Sequence, residues 1–227
     1  QGPKRAWELA SAIWTAVLQK KLHYALPPAS FERTGQKVRN PSQVTDAGLA
    51  TCLDLTLLFA ACLEQAHLNP LLVFTKGHAF AGVWLSQQEF TSAVVDDVTA
   101  LRKRLQLQEM LVFETTLAAQ GQPVRFSQAI AQAVRQLGEA ADAQFELVVD
   151  IKRARMVRIK PMAQAQAVAA PAPAEPGMET AAPLAATIAI AIEDAPAQLR
   201  DPASDDIPSA ELDPKDRLAR WQRRLLD

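Results

Sequence analysis

Residues Gly48 to Leu85 read GLATCLDLTLLFAACLEQAHLNPLLVFTKGHAFAGVWL, and this stretch decides the fold. Thr51 to Ala66 is apolar on nearly every side, which predicts a central helix rather than a surface helix. Leu71 to Thr75 then predicts a short strand, and Lys76-Gly77 predicts a tight turn. A second strand is predicted from His78 to Leu85, so a buried helix leads into a β-hairpin.

Cys52 and His78 form the candidate reactive pair of this stretch. A cysteine is a useful nucleophile as a thiolate, and a helix N-terminus or a neighbouring histidine lowers its pKa. Cys52 lies in the first turn of the predicted helix and His78 opens the second strand, so both influences can act on the thiol. Cys62 lies in mid-helix among leucines, and we expect it to be an inert core residue.

A catalytic histidine usually needs a third group that fixes its tautomer and stabilises its charged form. Met110 to Phe113 predicts a third strand, which ends at Glu114. If this strand is the antiparallel neighbour of the one that begins at His78, Glu114 lies beside the histidine. Asp96 and Asp97 are the alternatives, although their position before a predicted helix favours a capping role.

The other predicted elements complete an α+β chain. A helix from Ala6 to Lys21 has Trp7 and Trp14 on its apolar face, and Ser30 to Asp46 is predicted as a polar, extended approach to the cysteine. The remaining predictions are a helix that begins at Asp96, a helix capped by Ser127 and ending at Leu137, and a last strand from Phe145 to Ile151.

Changes of composition divide the chain. Residues 1–3 are expected to be the remnant of an expression tag, and residues 4–162 to form the folded domain. Residues 163–211 are rich in Ala, Pro, Glu and Asp, which predicts a flexible linker. Within residues 212–227, Asp213 and Pro214 are typical of a helix start, so this part is expected to begin a following, truncated segment.

Composition also limits location and cofactors. Basic and acidic residues number 24 and 25, which gives no overall field toward nucleic acid or anionic lipid. Cys52 and Cys62 lie about 15 Å apart on one predicted helix, too far for a disulfide, and free thiols favour the cytoplasm. The sequence predicts no membrane span. Without CxxC, HExxH or Gly-rich phosphate-loop motifs, no metal or cofactor is expected.

The order of these residues resembles the transglutaminase-like cysteine hydrolases, relatives of the papain fold. The resemblance covers Ser30 to about Thr116 and depends on TCLDL, GHAFAGVWL and VFETT. It implies a papain-like α+β fold with the cysteine helix packed on an antiparallel sheet, and a triad of Cys52, His78 and Glu114. The family motif usually carries aspartate where this chain has Glu114.

A narrower resemblance adds GQKVRNP, NPLLVFTKGHAFAGVWL and a late VDIKRAR run. Together these motifs look like the transglutaminase-like segment of large bacterial superfamily I helicase proteins, some of which end in a Vsr-like endonuclease domain. The terminal RLARWQRRLLD looks like the opening of the next, helicase-associated segment in those proteins. The resemblance implies an accessory role in DNA transactions or phage defence, with the helicase and nuclease domains of the same polypeptide as partners.

The predicted chemistry is acyl transfer on a peptide or protein amide. Attack by Cys52 gives a tetrahedral oxyanion and then a thioester, which water or an amine resolves. The backbone N–H of Cys52 points out of the helix start and is one candidate oxyanion donor. Gln36, on the loop that approaches the cysteine, is a candidate side-chain donor.

Two other functions stay open at this point. The fold could hold a protein partner in its groove without turnover, as a binding or regulatory module. The basic run after Ile151 could contact DNA phosphates through Lys152, Arg153 and Arg155, directly or as part of the full-length protein.

Overall fold

The computed structural model describes residues 2–26, 37–161 and 192–199. Over these residues the chain is α+β, as the sequence predicts, with helices packed against a five-stranded antiparallel sheet. The helices are α1 (Pro3–Leu18), α2 (Pro41–Ala47), α3 (Cys52–Gln65), α4 (Val98–Gln106), α5 (Phe126–Gln136) and α6 (Ile151–Met156), with 3-10 helices at Thr115–Ala119 and Glu139–Gln144. The strands are β1 (His23–Tyr24), β2 (Leu49–Ala50), β3 (Asn69–Thr75), β4 (His78–Trp84), β5 (Val94–Val95), β6 (Met110–Phe113) and β7 (Phe145–Asp150).

The sheet has the strand order β5-β7-β3-β4-β6, and each neighbouring pair is antiparallel. The predicted hairpin joins β3 to β4, with Thr75 opposite His78. Its turn is made by Gly77, whose φ of 70° favours a residue without a side chain. Gly82, in the middle of β4, is also required, because a Cβ there would lie 3.0 Å from the carbonyl oxygen of Leu111.

Helix α3, which begins at Cys52, packs with α1 on one face of the sheet. Aromatic rings fill this side of the core: Trp14 of α1 stacks on Phe59 of α3 with 5.5 Å between ring centroids, and Phe113 packs edge-on against Phe59 at 5.2 Å. Ala81 and Val83 of β4 belong to the same cluster. Burial of α3 therefore fixes its distance from β4, which carries the histidine.

The opposite face of the sheet is covered by α4 and by part of α5. Phe80 and Trp84 of β4 pack there with Leu101 of α4 and Ala133 of α5. Phe80 and Trp84 share a face, because side chains alternate along a strand with a period of two residues. Strand β4, which lies between β3 and β6, is thus buried on both sides.

The structure corrects the predicted N-terminal elements. Helix α1 begins at Pro3, because proline is favoured at the first helical position, and it ends at Leu18 rather than Lys21. The predicted extended approach contains helix α2, whose Asn40 cap accepts the amide of Gln43 at 2.8 Å. The signals for α2 were present as an Asn cap, Pro41 at the first position and Gly48 in a left-handed C-cap.

Three later boundaries also differ from the prediction. Asp97, not Asp96, caps α4, and Ser127 is the second residue of α5 rather than its cap. The last strand ends at Asp150, which caps α6, so the start of the basic run is helical. Asp150 is fully buried and also accepts the indole N–H of Trp84 at 3.0 Å, which locks the end of β7 to the centre of the sheet.

Part of the predicted linker packs on the domain. Glu193 accepts the amide and the hydroxyl of Ser127 at 2.7 and 2.9 Å, and its own amide donates to the Ser11 hydroxyl at 3.1 Å. Leu199 is buried in the same cluster as Trp7. Residues 192–199 therefore cross from α1 to the start of α5. Residues 162–191 and 200–227, which include the other predicted linker residues and the predicted terminal helix, lie outside the described residues.

Among the helices of the described residues, none combines the length and the apolarity that crossing a bilayer requires.

Candidate active site

The candidate nucleophile is the first residue of α3. Thr51 is the N-cap, and its hydroxyl oxygen accepts the amide N–H of Asp54 at 3.2 Å. In return, the Asp54 carboxylate accepts the Thr51 amide at 3.0 Å. This capping box fixes where the helix begins and leaves the Cys52 amide without an acceptor inside the helix. Cys52 therefore lies at the positive end of the helix dipole, with 5% of its surface exposed.

Asp54 also ties the preceding loop to α3. Its two oxygens accept the backbone N–H and one guanidinium N–H of Arg39, both at 2.8 Å. Burial would raise the pKa of Asp54, but the hydrogen bonds from Thr51 and Arg39 outweigh burial and lower it. Sequence reasoning missed this pair. The signal for its capping half was the Thr-x-x-Asp pattern at the start of an apolar run.

His78 opens β4 directly after the turn. Its Nε2 lies 2.7 Å from Oε2 of Glu114, the residue that follows β6. Strands β4 and β6 are antiparallel, with Ala81 opposite Phe113, so the start of one strand meets the end of the other. The predicted contact between His78 and Glu114 is therefore present, while its catalytic role stays a prediction.

Glu114 is buried and held by four neighbours. Its Oε1 accepts the amide and the hydroxyl of Thr116 at 2.9 and 2.7 Å, and Gln136 of α5 donates to Oε2 beside His78. The Glu114 amide donates to the carbonyl of Ala129 at 3.0 Å. Burial would raise the pKa of Glu114, but His78 and Thr116 outweigh burial and lower it. Glu114 is thus an ionised acceptor with a fixed orientation.

The Cys52 thiol of α3 and the His78 ring of β4 interact electrostatically. Burial would raise the pKa of Cys52, but the His78 ring and the backbone N–H groups of Ala79 and Leu53 together lower it. The hydrogen bonds to Cys52 and Glu114 raise the pKa of His78 to about 9, against the effect of burial. Both shifts favour a thiolate facing an imidazolium at neutral pH.

Tyr24 is a site residue that sequence reasoning missed. Strand β1 pairs in parallel with β2, with Tyr24 opposite Ala50, two positions before Cys52. The Tyr24 hydroxyl interacts electrostatically with the Cys52 side chain, which helps to raise the pKa of the tyrosine. Strands β1 and β2 have two residues each, which is too short for a hydrophobic periodicity to be recognised. Their pairing also joins segments about 25 residues apart, and no sequence motif indicates that these segments are neighbours.

The other predicted candidates lie elsewhere. Asp97 accepts the amides of Thr99 and Ala100 at 2.8 and 3.2 Å, so it caps α4, and Asp96 is exposed. Cys62 is partly buried on α3 rather than fully in the core, and burial raises its pKa. Gln36 lies outside the described residues.

The predicted DNA-contacting residues are paired with carboxylates of the domain. Lys152 and Arg153 both contact Glu89, at 3.0 and 3.2 Å. Arg155 makes a bidentate contact with Glu64 at 2.8 and 2.9 Å. These contacts join α6 to the loop after β4 and to α3, so the basic run has a structural role in the fold.

Within the part of the chain that the structure describes, no group of three or more His, Cys, Asp or Glu side chains could hold a metal ion. No family model, curated protein or solved structure matches the chain significantly.

Proposed function

We propose that this chain is a cysteine-dependent acyl-transfer enzyme, a protease, amidase or isopeptidase, that acts through Cys52, His78 and Glu114. One observation carries the proposal: hydrogen bonds run from Thr116 through Glu114 to His78, and the His78 ring lowers the pKa of the Cys52 thiol at a helix N-terminus. Nucleophile, base and orienting acid are the parts that such catalysis requires.

The proposed fold is transglutaminase-like, related to papain. Its support is a buried helix that begins at the cysteine and packs on an antiparallel sheet whose neighbouring strands supply the histidine and the acid. Glutamate replaces the aspartate that is usual in the family. The longer Glu114 side chain reaches both Thr116 and His78, so the substitution keeps an ionised acceptor at the histidine.

The proposed reaction begins with attack of the Cys52 thiolate on an amide carbonyl carbon. A C–S bond forms, the carbonyl π electrons move to oxygen, and the Cys52 backbone N–H stabilises the oxyanion. Since Glu114 engages Nε2 of His78, Nδ1 is the nitrogen that serves the sulfur. The imidazolium then protonates the leaving amine as the C–N bond breaks. Water or a second amine resolves the thioester while His78 takes up its proton.

The setting of the enzyme is proposed from the sequence motifs. Two free thiols favour a cytoplasmic location. The resemblance to helicase-associated segments supports an accessory role in phage defence or DNA transactions, with a peptide or protein as substrate. Helicase and nuclease domains of the same polypeptide are the proposed partners, and DNA would be reached through the full-length protein, because Lys152, Arg153 and Arg155 are already paired within the domain.

Alkylation by iodoacetamide tests the nucleophile. We expect Cys52 to react faster than Cys62, because the pKa of Cys52 is lowered and that of Cys62 is raised. In a Cys62→Ala background, the rate should follow a titration below the pKa of about 8.5 of a free cysteine. Peptide mapping by mass spectrometry identifies the labelled residue.

Acylation by p-nitrophenyl acetate tests the reaction class. We expect release of p-nitrophenolate with formation of an acetyl-Cys52 adduct, and loss of both in Cys52→Ala. Equal labelling of the two cysteines in the folded domain would contradict the proposal. Fast alkylation of Cys52 without acylation would instead favour the binding-module alternative.

A further inference from the structure

Tyr24 is fixed on the nucleophile side of the site by backbone hydrogen bonds. The amide of His23 donates to the carbonyl of Gly48 at 2.8 Å, and the amide of Ala25 donates to the carbonyl of Ala50 at 2.9 Å. These two bonds flank Tyr24, so its Cα is held beside Ala50. Strand β1 therefore places Tyr24 beside the segment that leads directly into α3.

A second contact fixes β1 from the side of the acid. His23 forms an antiparallel bridge with Gln120, which follows the 3-10 helix after Glu114. Strand β1 therefore lies between the segment that carries the nucleophile and the segment that carries Glu114. A side chain in this position is preorganised, and preorganised donors are the effective ones in catalysis.

The Tyr24 hydroxyl interacts electrostatically with the Cys52 side chain and with Glu114. The residue is 37% exposed, so the ring borders solvent on one side and the candidate nucleophile on the other. Burial, followed by the negative charges of Cys52 and Glu114, raises the pKa of Tyr24 above its usual 10.0. Tyr24 therefore keeps its proton at neutral pH and is a hydrogen-bond donor there.

We propose that Tyr24 is a further catalytic residue, the side-chain donor to the oxyanion formed when Cys52 attacks a carbonyl. This inference rests on the proposed acyl-transfer function. The sulfur loses its negative charge as the C–S bond forms, and the carbonyl oxygen gains it as the π electron pair moves there. The Tyr24 O–H turns from the sulfur to this oxygen and retains its proton. The Cys52 amide is the second donor, and both hydrogen bonds are released when the carbonyl re-forms and the leaving group departs.

Two probes separate this role from simple stabilisation of the thiolate. Iodoacetamide alkylates sulfur by displacement at a saturated carbon, without an oxyanion, whereas p-nitrophenyl acetate acylates it through one. In a Cys62→Ala background, Tyr24→Phe should slow acylation by about 100- to 1000-fold, the loss expected for one oxyanion donor. Alkylation, compared at equal thiolate fraction, should change less than threefold. Loss of both rates in equal proportion, or of neither, would overturn the proposal.

The outcome is distinguishable from failure of the acyl-transfer function. A parent domain that p-nitrophenyl acetate does not acylate at Cys52 contradicts the function itself, and the Tyr24 role with it. A parent domain that is acylated as fast as Tyr24→Phe contradicts the Tyr24 role alone. Cys52→Ala gives the background rate for both reactions.

Fluorinated tyrosine provides a second test that does not depend on the folding of Tyr24→Phe. The chain contains 1 tyrosine, so biosynthetic incorporation of difluorotyrosine changes residue 24 alone. Fluorination lowers the pKa of the phenol, and the ionised phenolate cannot donate. The acylation rate should therefore begin to fall at a lower pH than in the unmodified chain, while the alkylation rate does not fall. Identical pH profiles of acylation in the two proteins would contradict the role of the hydroxyl.

Discussion

At the scale of single residues, the site holds one proton between three acidic or basic groups. His78 lies between the Cys52 thiol and the Glu114 carboxylate, and both neighbours favour its charged form. Glu114 serves a second purpose, since it caps the 3-10 helix through the amide of Thr116. The same carboxylate therefore fixes the backbone after β6 and the charge on the imidazole.

Replacing Glu114 by glutamine should shift the alkylation profile of Cys52 to higher pH. The amide can still accept a hydrogen bond, but the lost charge lowers the pKa of His78, which raises that of the thiol. At a pH below the titration, we expect alkylation to be about tenfold slower, since one pKa unit corresponds to about 1.4 kcal/mol. Iodoacetamide rates from pH 5 to 9 measure the shift.

The control for this change is Glu139→Gln, at an exposed position of the second 3-10 helix. Its profile should match that of the parent protein. An unshifted profile in Glu114→Gln would mean that Glu114 orients the ring without affecting its charge.

At the scale of elements, the start of α3 is fixed by contacts within the helix and by contacts with the loop before it. Asp54 closes the capping box with Thr51 and binds Arg39 of the preceding loop. The position of Cys52 thus depends on a buried carboxylate, two residues further along, that has no part in the chemistry.

Asp54→Asn should destabilise the domain by about 1–3 kcal/mol, because the variant leaves Arg39 without its charged partner in a buried setting. Urea denaturation measures the difference in free energy of unfolding. Asp97→Asn is the matched control. It also replaces a capping aspartate, but Asp97 is exposed and asparagine caps equally well, so its effect should be near zero. Equal effects of the two substitutions would contradict a special role for Asp54.

The N-terminus of α5 is satisfied by a residue far along the chain. Arg125, its N-cap, makes no side-chain capping bond, and the Glu193 carboxylate accepts the Ser127 amide instead. Because Gln136 at the other end of α5 contacts Glu114, the segment 192–199 supports the helix that borders the site.

Glu193→Ala should lower the free energy of unfolding by about 0.5–1.5 kcal/mol, the usual contribution of such hydrogen bonds. It should also speed proteolytic cleavage within residues 192–199, because the substitution removes both contacts with Ser127. Thermal unfolding and limited proteolysis measure the two effects. Asp194→Ala changes the neighbouring exposed carboxylate and should leave both unchanged. Cleavage at the parent rate in Glu193→Ala would argue that the apolar contact of Leu199 suffices.

At the scale of the whole molecule, the sequence predicted what periodicity and local turns determine. The hairpin, the strand ending at Phe113 and the central helix α3 follow from apolar patterns and from Gly77. Strand adjacency then predicted the contact between His78 and Glu114. Tyr24 and Glu193 could not be predicted, because each depends on a pairing between distant segments, one through a two-residue strand and one through an eight-residue stretch of linker-like composition.

The site also predicts how stability depends on pH. Above both 6.5 and the lowered pKa of Cys52, and below about 8.5, the folded pair holds one proton on His78, and the unfolded pair holds one on the thiol. Folding then takes up no proton at this pair. In Cys52→Ala, Glu114 still keeps the pKa of His78 above 6.5, so the folded state binds a proton that the unfolded state has lost.

The free energy of unfolding of Cys52→Ala should therefore decrease, relative to the parent protein, as the pH rises from 6.5 toward 9. Urea denaturation at several pH values gives the two curves, and Cys62→Ala should run parallel to the parent. Parallel curves for Cys52→Ala would show that the thiol and the imidazole are not linked by a shared proton.

The contacts of Glu193 and Leu199 bear on where the protein can be divided. A truncation at Met162, where the composition changes, would remove the acceptor of the Ser127 amide and the side chain that packs beside Trp7. A fragment that retains both contacts therefore extends to Leu199, beyond the compositional boundary. A fragment made for expression, crystallisation or grafting should therefore include residues 192–199. Their composition is typical of a linker, but they pack on α1 and on the start of α5.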